Sequence, residues 1–249
     1  MAYPPNLPVL ALALLLLTIG QHALQHASAL NVTFLGTGVP LTSPIRFGSA
    51  NLVRTANATV LVDCGAGATQ RMAAIGVNGQ MIDAVFLTHL HHDHIIDLID
   101  LLLDGAFGGR AVPQRVFGPA GTRRHVEQVL ELWDHDLERF RDNLKAGSAG
   151  FDFEVTEIEP GKVASFNGLE VEAVEVRHVI IERAYGYVLR GEGRSVAFSG
   201  DTIPVDSLIE AAKDVDLLVH SVIVRDLVAN NPRFTNGSNI LRFHTPSTE

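Results

Sequence analysis

The chain has 249 residues, of which 47% are hydrophobic, and a formal net charge of −9. This length suffices for one large domain with a substantial core, or for two small domains. The acidic balance disfavours a general nucleic-acid-binding surface, because such surfaces need clustered Lys and Arg to displace counterions. It does not exclude a local basic patch. The candidates for such a patch are Arg110, Arg115, Arg123 and Arg124, with scattered surface arginines as the alternative interpretation.

The first 29 residues carry no Asp, Glu, Lys or Arg, and Leu7 to Ile19 form a nearly continuous apolar run. Ala27-Ser28-Ala29 is a small-x-small cleavage site ahead of the first predicted strand. We predict a signal peptide over residues 1–29 and a secreted or periplasmic protein, although the usual basic n-region is missing. The apolar run is too short for a comfortable membrane span. After removal of the signal peptide, we expect no stable membrane span in the mature chain. An uncleaved N-terminal anchor is the alternative.

Apolar and alternating segments predict strands mixed with helices in two successive blocks. The predicted strands are 31–35, 50–54, 59–62, 81–87, 114–117, 151–158, 168–176, 185–190, 195–199 and 215–220. The predicted helices are 69–75, 122–133, 135–144 and 205–213, with a further apolar helix that begins at His94. This order predicts one α/β domain over residues 30–249, an αβ/βα sandwich of two sheets packed face to face with helices outside.

Cys64 is the single cysteine of the chain, so no intrachain disulfide can form. It lies between Asp63 and Gly65, directly after an apolar predicted strand. No neighbouring base is apparent to activate a thiol nucleophile. The pattern predicts a packed, inert thiol.

Residues 88–94 read Thr-His-Leu-His-His-Asp-His and lie between a predicted buried strand and an apolar helix. If the chain is extended there, His89 and His91 point to the same side, because side chains of a strand alternate. Asp93 and His94 then lie at the helix entrance and point elsewhere. Imidazole nitrogens and a hard carboxylate oxygen are the donors that hold catalytic zinc. The motif predicts two adjacent metals or one metal with an outer partner; the alternative is a polar loop that binds metal only adventitiously.

The order H-x-H-x-D-H after a hydrophobic strand resembles the signature of the metallo-β-lactamase superfamily. Further segments resemble the branch that contains ribonuclease Z and related arylsulfatase and phosphodiesterase-like enzymes, in the family order from about residue 31 onward. They are 34–40 (FLGTGVP), 61–65 (LVDCG), 69–71 (TQR), 118–122 (GPAGT), 184–187 (AYGY) and 199–202 (SGDT). The resemblance implies an αβ/βα sandwich with two mixed sheets and helices outside.

The resemblance assigns metal-binding roles to two residues far from the histidine motif. It makes His178 the third histidine that joins His89 and His91 at a first metal; taken alone, a histidine at a strand end is more often a surface or core side chain. It makes Asp201 the carboxylate that bridges two metals. The alternative for Asp201 is a cap on the helix near Val205, a role worth ~1 kcal/mol.

Three more residues receive supporting roles from the resemblance. Asp63 becomes an acceptor for a ligand histidine or for the metal-bound water, whereas its alternative is ordinary turn chemistry. His244 resembles the later histidine that protonates the leaving group. Residues 216–220 resemble the ribonuclease Z strand that ends in His-Glu, but here Ser221 follows His220 in place of the glutamate. That departure weakens the inference of the same proton relay.

The resemblance also leaves a second metal incompletely ligated. Asp93, His94 and Asp201 would hold it, but the superfamily's last metal histidine normally follows a further helix and strand, and this sequence stops at Glu249. The C-terminal elements of the fold are therefore expected to be truncated. A truncated chain, a weak second site completed by water, and a damaged enzyme are three competing explanations.

Together these features predict a metal-dependent hydrolase that cleaves a phosphodiester, a sulfate ester or a related ester in a small-molecule or oligomeric substrate. One or two Zn²⁺ ions, with Mn²⁺ or Fe²⁺ as alternatives, would supply a hydroxide nucleophile. Asp93 would bind metal and orient or deprotonate the nucleophile, and His244 would protonate the leaving oxygen.

Three other functions are open. A ribonuclease Z-type endoribonuclease is disfavoured by the acidic balance, the export signal and the lack of an obvious inserted basic arm. A non-catalytic metal-binding remnant would follow from the early stop, and a β-lactam or acyl-homoserine lactone hydrolase would share the metal chemistry. A homodimer is left open.

Overall fold

The computed structural model describes residues 29–143, 148–229 and 240–247. All but the last residue of the predicted signal peptide lies outside these ranges. Within the described part of the chain, no helix combines the length and apolar character needed to cross a bilayer.

The first sheet has six strands in the order in which they occur along the chain. Strands β1 to β3 pair antiparallel, and β3 to β6 pair parallel. Their bounds are β1 (Asn31–Gly36), β2 (Ala50–Arg54), β3 (Thr59–Val62), β4 (Ala84–Phe86), β5 (Gln114–Gly118) and β6 (Phe153–Glu157).

The second sheet has five strands in the order β11-β10-β9-β8-β7. Its pairs are antiparallel except for β10 with β11, which are parallel. The bounds are β7 (Gly161–Phe166), β8 (Leu169–Val176), β9 (Ala184–Gly191), β10 (Arg194–Phe198) and β11 (Leu217–Val219). A short parallel pair, β12 (Val222–Ile223) with β13 (Thr245–Pro246), follows.

The helices complete the mixed α/β architecture. They are α1 (Ala68–Ala73), α2 (His92–Ile95), α3 (Leu98–Phe107), α4 (Thr122–Leu132), α5 (Asp134–Asn143), α6 (Asp206–Ala211) and α7 (Arg225–Ala229), with 3₁₀ turns at Gly79–Met81 and Ser148–Phe151. The predicted sandwich of two mixed sheets with helices is confirmed.

Strand alternation divides the core into an inner layer between the sheets and outer layers under the helices. In β4, Phe86 belongs to the inner cluster with Tyr187 of β9, whereas Val85 belongs to the outer cluster with Leu101 of α3. The rings of Phe86 and Tyr187 meet edge to face with centroids 5.6 Å apart. A strand buried on both faces needs apolar residues at every position, which is why residues 84–87 read as a continuous hydrophobic run.

Several element boundaries differ from the prediction. Strand β4 begins at Ala84 instead of Met81, because residues 79–81 form a 3₁₀ turn in which Met81 is half exposed. The predicted helix after the histidine motif is two helices. The break falls at Asp97, whose carboxylate accepts hydrogen bonds from the backbone N–H (2.7 Å) and hydroxyl (2.8 Å) of Thr69. Strands β7, β12 and β13 and helix α7 were not predicted.

The structure contradicts the proposed basic patch at Arg110. This side chain is buried, and its guanidinium donates to the carbonyls of Gly79, Leu102 and Gly150 and to the Gln114 side chain. Burial lowers the pKa of Arg110 to about 10, so the group keeps its charge at neutral pH. Its role is to connect four segments inside the fold.

The prediction of a packed thiol at Cys64 is confirmed by complete burial of the side chain. Burial, reinforced by the negative charges of Asp97 and Asp63, raises the pKa of the thiol well above its ordinary value. A thiol in that state is a poor nucleophile.

Candidate metal centre

The histidine motif leaves β4 as an extended segment and enters α2. His91 has extended backbone angles (φ −68°, ψ 144°), whereas Asp93 and His94 lie within the helix. Gly65 packs against this turn so closely that an added Cβ would collide with the backbone oxygen of Asp93. Glycine at that position therefore permits the β3 loop and the start of α2 to approach each other.

Three imidazoles converge at one point. The Nε2 atom of His89 lies 3.0 Å from Nδ1 of His91, and Nε2 of His178, which follows β8, lies 3.2 Å from the same Nδ1. Zinc binds imidazole nitrogen at ~2.0–2.1 Å, so neighbouring donors of a tetrahedron lie roughly 3.4 Å apart. The observed spacing of these nitrogens fits the donor set of one zinc ion.

Hydrogen bonds on the far side of two rings set which nitrogen is free. The Nδ1 atom of His178 lies 3.0 Å from the backbone oxygen of Phe243, which can only accept. The proton of neutral His178 is therefore on Nδ1, and Nε2 carries the lone pair. The Thr88 hydroxyl donates its proton to a hydrogen bond with Asp63, and its Oγ1 lies 3.0 Å from Nδ1 of His89. Oγ1 therefore accepts from Nδ1–H of His89, and the lone pair of this ring is on Nε2.

The rings of His89 and His91 are held in the neutral form that binds metal. Burial, with the nearby His94, lowers the pKa of His89 to about 2. Burial and then His178 also lower the pKa of His91. Both imidazoles offer lone pairs at neutral pH.

A second donor group lies beside the first. The Nε2 atom of His94 is 3.5 Å from Oδ2 of Asp201 and 3.7 Å from Oδ2 of Asp93. Burial opposes charge on both His94 and Asp201. For His94 the attraction of Asp63, followed by that of Asp201, outweighs burial, and for Asp201 the attraction of His94 does so. The pKa of His94 is raised and that of Asp201 is lowered. Metal binding at this group therefore has to release the proton of His94.

Asp63 connects the two groups from behind. Its backbone is left-handed (φ 63°), which fits the turn interpretation. Its carboxylate accepts from the backbone N–H of Thr88 (2.8 Å), lies 2.7 Å from Nδ1 of His94, and accepts from Ser49 Oγ at 3.3 Å. The contact with His94 is the one expected of a support for a ligand histidine.

His244 faces the centre from the described segment 240–247. Its Nδ1 atom lies 3.6 Å from Oδ2 of Asp201, and the ligand atoms of His178, Asp201 and His244 lie within 4.8 Å of one another. Nδ1 of His244 and Oδ1 of Asp93 are buried without hydrogen-bond partners. An unpaired buried polar atom is costly, so these two atoms fit a centre that takes up a metal ion, water or substrate.

The structure brings all seven predicted site residues into one centre: His89, His91, Asp93, His94, His178, Asp201 and His244. Their assignment as ligands, base and acid remains a prediction. His220 lies outside the three donor groups and contacts the backbone oxygen of Ser221.

Sequence reasoning missed Thr88, the Phe243 carbonyl and Ser221 as supports of these side chains. Thr88 had a signal in the sequence because it directly precedes the motif, and Ser221 had one because it replaces the glutamate of the resembling ribonuclease Z strand.

Comparisons with known proteins identify the relatives of this chain. A family model described as "Anti-Pycsar protein Apyc1" matches residues 30–231. Ribonuclease Z from Mycobacterium bovis (strain BCG / Pasteur 1173P2) is 37% identical over 207 residues, which cover 82% of this chain and 74% of that protein.

Solved structures show the same fold. The short form of human tRNase Z superposes with a TM-score of 0.65 at 22% identity, covering 87% of this chain and 93% of that one. The metallo-β-lactamase fold protein YhfI from Bacillus subtilis gives a TM-score of 0.62 at 20% identity, covering 78% and 71%. The fold, the converging donors and the sequence relatives lead to one assignment. The chain belongs to the metallo-β-lactamase superfamily, in the ribonuclease Z branch of hydrolases and the family described as Anti-Pycsar protein Apyc1.

Proposed function

We propose that this protein is a metal-dependent phosphodiesterase that works with one or two zinc ions. The observation that carries the proposal is the convergence of His89, His91 and His178, whose facing nitrogens are 3.0 and 3.2 Å apart beside the carboxylate of Asp201. The name of its mycobacterial relative, ribonuclease Z, denotes an enzyme that acts on RNA, itself a phosphodiester. Sulfate esters and other esters are weaker candidates, since no relative named above supports them.

The positions of the side chains in the centre suggest a separate role for each of them in metal binding and proton transfer. A bound divalent metal supplies Lewis acidity and lowers the pKa of water at the site. His89, His91 and His178 would hold one ion, and Asp93, His94 and Asp201 would hold the second where two are bound. The unpartnered Oδ1 of Asp93 orients the attacking water and accepts its proton.

His244 is the candidate donor to the leaving oxygen. Its unpartnered Nδ1 lies in the centre, 3.6 Å from Asp201. Burial lowers the pKa of His244, so the ring is largely neutral at neutral pH in the free protein. A phosphate anion next to the ring favours its protonated form, which ties proton donation to substrate binding.

The test is hydrolysis of bis-p-nitrophenyl phosphate by the purified chain with added zinc, alongside p-nitrophenyl sulfate. His91→Ala is expected to lose at least about a hundredfold in kcat/KM, because it removes the nitrogen that faces both other imidazoles. His135→Ala is the matched control, since His135 is exposed on α5. Sulfate cleavage without phosphodiester cleavage would overturn the substrate class.

A ribonuclease Z-type endoribonuclease is the second candidate function. The 37% identity to the mycobacterial ribonuclease Z favours it, whereas the net charge of −9 disfavours RNA binding. Precursor tRNA and bis-p-nitrophenyl phosphate in parallel assays separate the two. Cleavage of precursor tRNA alone favours the endoribonuclease.

We also propose that the mature protein acts outside the cytoplasm, on the strength of the apolar run and the Ala27-Ser28-Ala29 site. N-terminal sequencing of the protein recovered from an exporting bacterial host is the test. We expect a mature chain that begins at Leu30. An intact N-terminus in the cytoplasmic fraction contradicts it.

A further inference from the structure

The two carboxylate oxygens of Asp201 have different partners. Oδ1 accepts a hydrogen bond of 2.9 Å from the hydroxyl of Ser221. Oδ2 faces the centre, 3.5 Å from Nε2 of His94 and 3.6 Å from Nδ1 of His244. The carboxylate is therefore divided into one oxygen held by the protein and one oxygen that faces the metal donors.

Ser221 is itself held in place by the second sheet. Strands β10 and β11 pair in parallel up to Phe198 and Val219, and Ser199 N–H then donates to the Val219 carbonyl at 2.9 Å. The backbone N–H of Ser221 donates to Ser199 Oγ, also at 2.9 Å. These bonds carry the strand pairing beyond the strand ends, so the Ser221 hydroxyl reaches Asp201 from a fixed backbone.

The backbone that leads into Asp201 is fixed by a closely packed turn at Gly200. Gly200 has a positive φ of 58°, and an added Cβ would approach Thr88 Cβ and the Tyr185 carbonyl to 2.9 Å. The Asp201 carboxylate can still turn about its own side-chain bonds unless another group fixes it. The hydroxyl of Ser221 has a single proton, and it donates this proton in the hydrogen bond to Oδ1 of Asp201.

We propose that Ser221 is a positioning residue for the metal centre: it binds Oδ1 of Asp201 and keeps Oδ2 directed at the metal. This inference rests on the proposed metal-dependent function. Side chains that orient a metal ligand typically change metal affinity 10- to 100-fold when they are removed.

The test measures zinc affinity of the full chain by chelator competition, with thermal unfolding of the metal-free protein as a check on folding. Ser221→Ala is expected to weaken the more loosely bound zinc, or the single zinc if wild type holds one, by about tenfold or more. Ser221→Thr keeps the hydroxyl and is expected to stay within about threefold of wild type. The metal-free proteins are expected to unfold at similar temperatures.

Ser195→Ala is the matched control. Ser195 Oγ also donates to a carboxylate, Oδ2 of Asp216 at 3.0 Å, and it does so at the opposite end of the same strand pair. This variant is expected to leave zinc affinity unchanged. Equal losses in Ser195→Ala and Ser221→Ala, a wild-type affinity in Ser221→Ala, or a loss in Ser221→Thr as large as in Ser221→Ala would each overturn the inference.

The outcomes separate this inference from the proposed function. Wild-type protein that binds zinc but cleaves no phosphodiester, with weaker zinc binding in Ser221→Ala, contradicts the function and supports the positioning role. Active wild-type protein with unchanged zinc binding in Ser221→Ala supports the function and contradicts the positioning role. Wild-type protein that binds no zinc contradicts both.

Discussion

Asp63 is the residue on which both donor groups depend. Its carboxylate contacts His94 Nδ1 at 2.7 Å and the hydroxyl of Thr88, which in turn contacts His89. Asp63→Asn keeps the shape and tolerates the left-handed backbone, but it removes the negative charge. We expect zinc affinity to fall 10- to 100-fold, because the support behind His94 and His89 is weakened. Chelator competition measures this.

The control for that experiment is Asp83→Asn. Asp83 directly precedes β4, and its carboxylate also accepts a backbone hydrogen bond, from Thr59 N–H at 2.7 Å. Asp83 does not contact the histidines described above, so the zinc affinity of the Asp83→Asn protein is expected to match that of wild type. An Asp63→Asn protein that holds zinc as tightly as wild type contradicts the role given to this carboxylate.

The buried Cys64 thiol makes the free energy of unfolding depend on pH in the alkaline range. Burial, followed by the charges of Asp97 and Asp63, raises its pKa well above the ordinary value of 9.0, so the folded state holds the thiol proton more tightly than the unfolded state. The stability from this group is complete below about pH 9 and is lost as pH rises toward the folded pKa. The loss is at most about 1.4 kcal/mol per pH unit.

Urea unfolding at a series of pH values above about 8 tests this claim. We expect the free energy of unfolding of Cys64→Ala to decline less steeply with pH than that of wild type. Tyr187, whose pKa is also raised by burial, remains in both proteins and cancels in the comparison. Parallel curves for the two proteins contradict the assignment.

The sequence predicted the site residues unevenly, for a physical reason. His89, His91, Asp93 and His94 are contiguous, so local spacing alone indicates a metal site. His178 contacts His91 although 87 positions separate them in the sequence. No local sequence pattern indicates a contact between residues so far apart along the chain. His178 was found, like Asp201 and His244, through resemblance. Supports such as Ser221 depend on the pairing of two strand ends, which sequence patterns do not specify.

At the scale of elements, Arg110 connects α3, β5 and the two 3₁₀ turns. Its guanidinium satisfies three buried carbonyls, those of Gly79, Leu102 and Gly150. Arg110→Met fills similar space but removes the guanidinium hydrogen bonds to all three carbonyls. We expect the free energy of unfolding to fall by about 3–5 kcal/mol, the cost of breaking a buried charged network.

Urea denaturation measures that loss, with Arg124→Met as control. Arg124 is exposed on α4, and its replacement is expected to change stability by less than about 0.5 kcal/mol. A loss below about 1 kcal/mol for Arg110→Met contradicts the role of this side chain.

The elements that were predicted correctly are those with a buried face. Strand β8 alternates buried and exposed residues along most of its length, and β3 is almost fully buried, so both patterns were visible in the sequence. Strand β7 lies at the edge of its sheet and has no fully buried residue, so it shows no clear periodicity. The pair β12 and β13 has only two residues in each strand, too few for any pattern.

At the scale of the molecule, metal binding is expected to stabilise the fold, because the donors come from both sheets' loops. The histidine motif follows β4 of the first sheet, and His178 follows β8 of the second. An ion bound by both loops joins the two halves of the sandwich. Free zinc at 100-fold above its Kd is expected to add about 2.7 kcal/mol to the free energy of unfolding.

Thermal unfolding with and without a chelator, followed by zinc replacement, measures this effect. His178→Ala is expected to lose most of the stabilisation by zinc, whereas the exposed His135→Ala keeps it. A melting temperature that does not respond to zinc in wild type contradicts the bridging of the two sheets.

The central claim is that His89, His91 and His178 hold a metal ion. A crystal of the zinc-loaded chain, with diffraction data on both sides of the zinc absorption edge, tests it most directly. We expect an anomalous peak ~2.0–2.1 Å from Nε2 of His89, Nδ1 of His91 and Nε2 of His178. A map with no peak among these three nitrogens, from crystals grown in excess zinc, contradicts it.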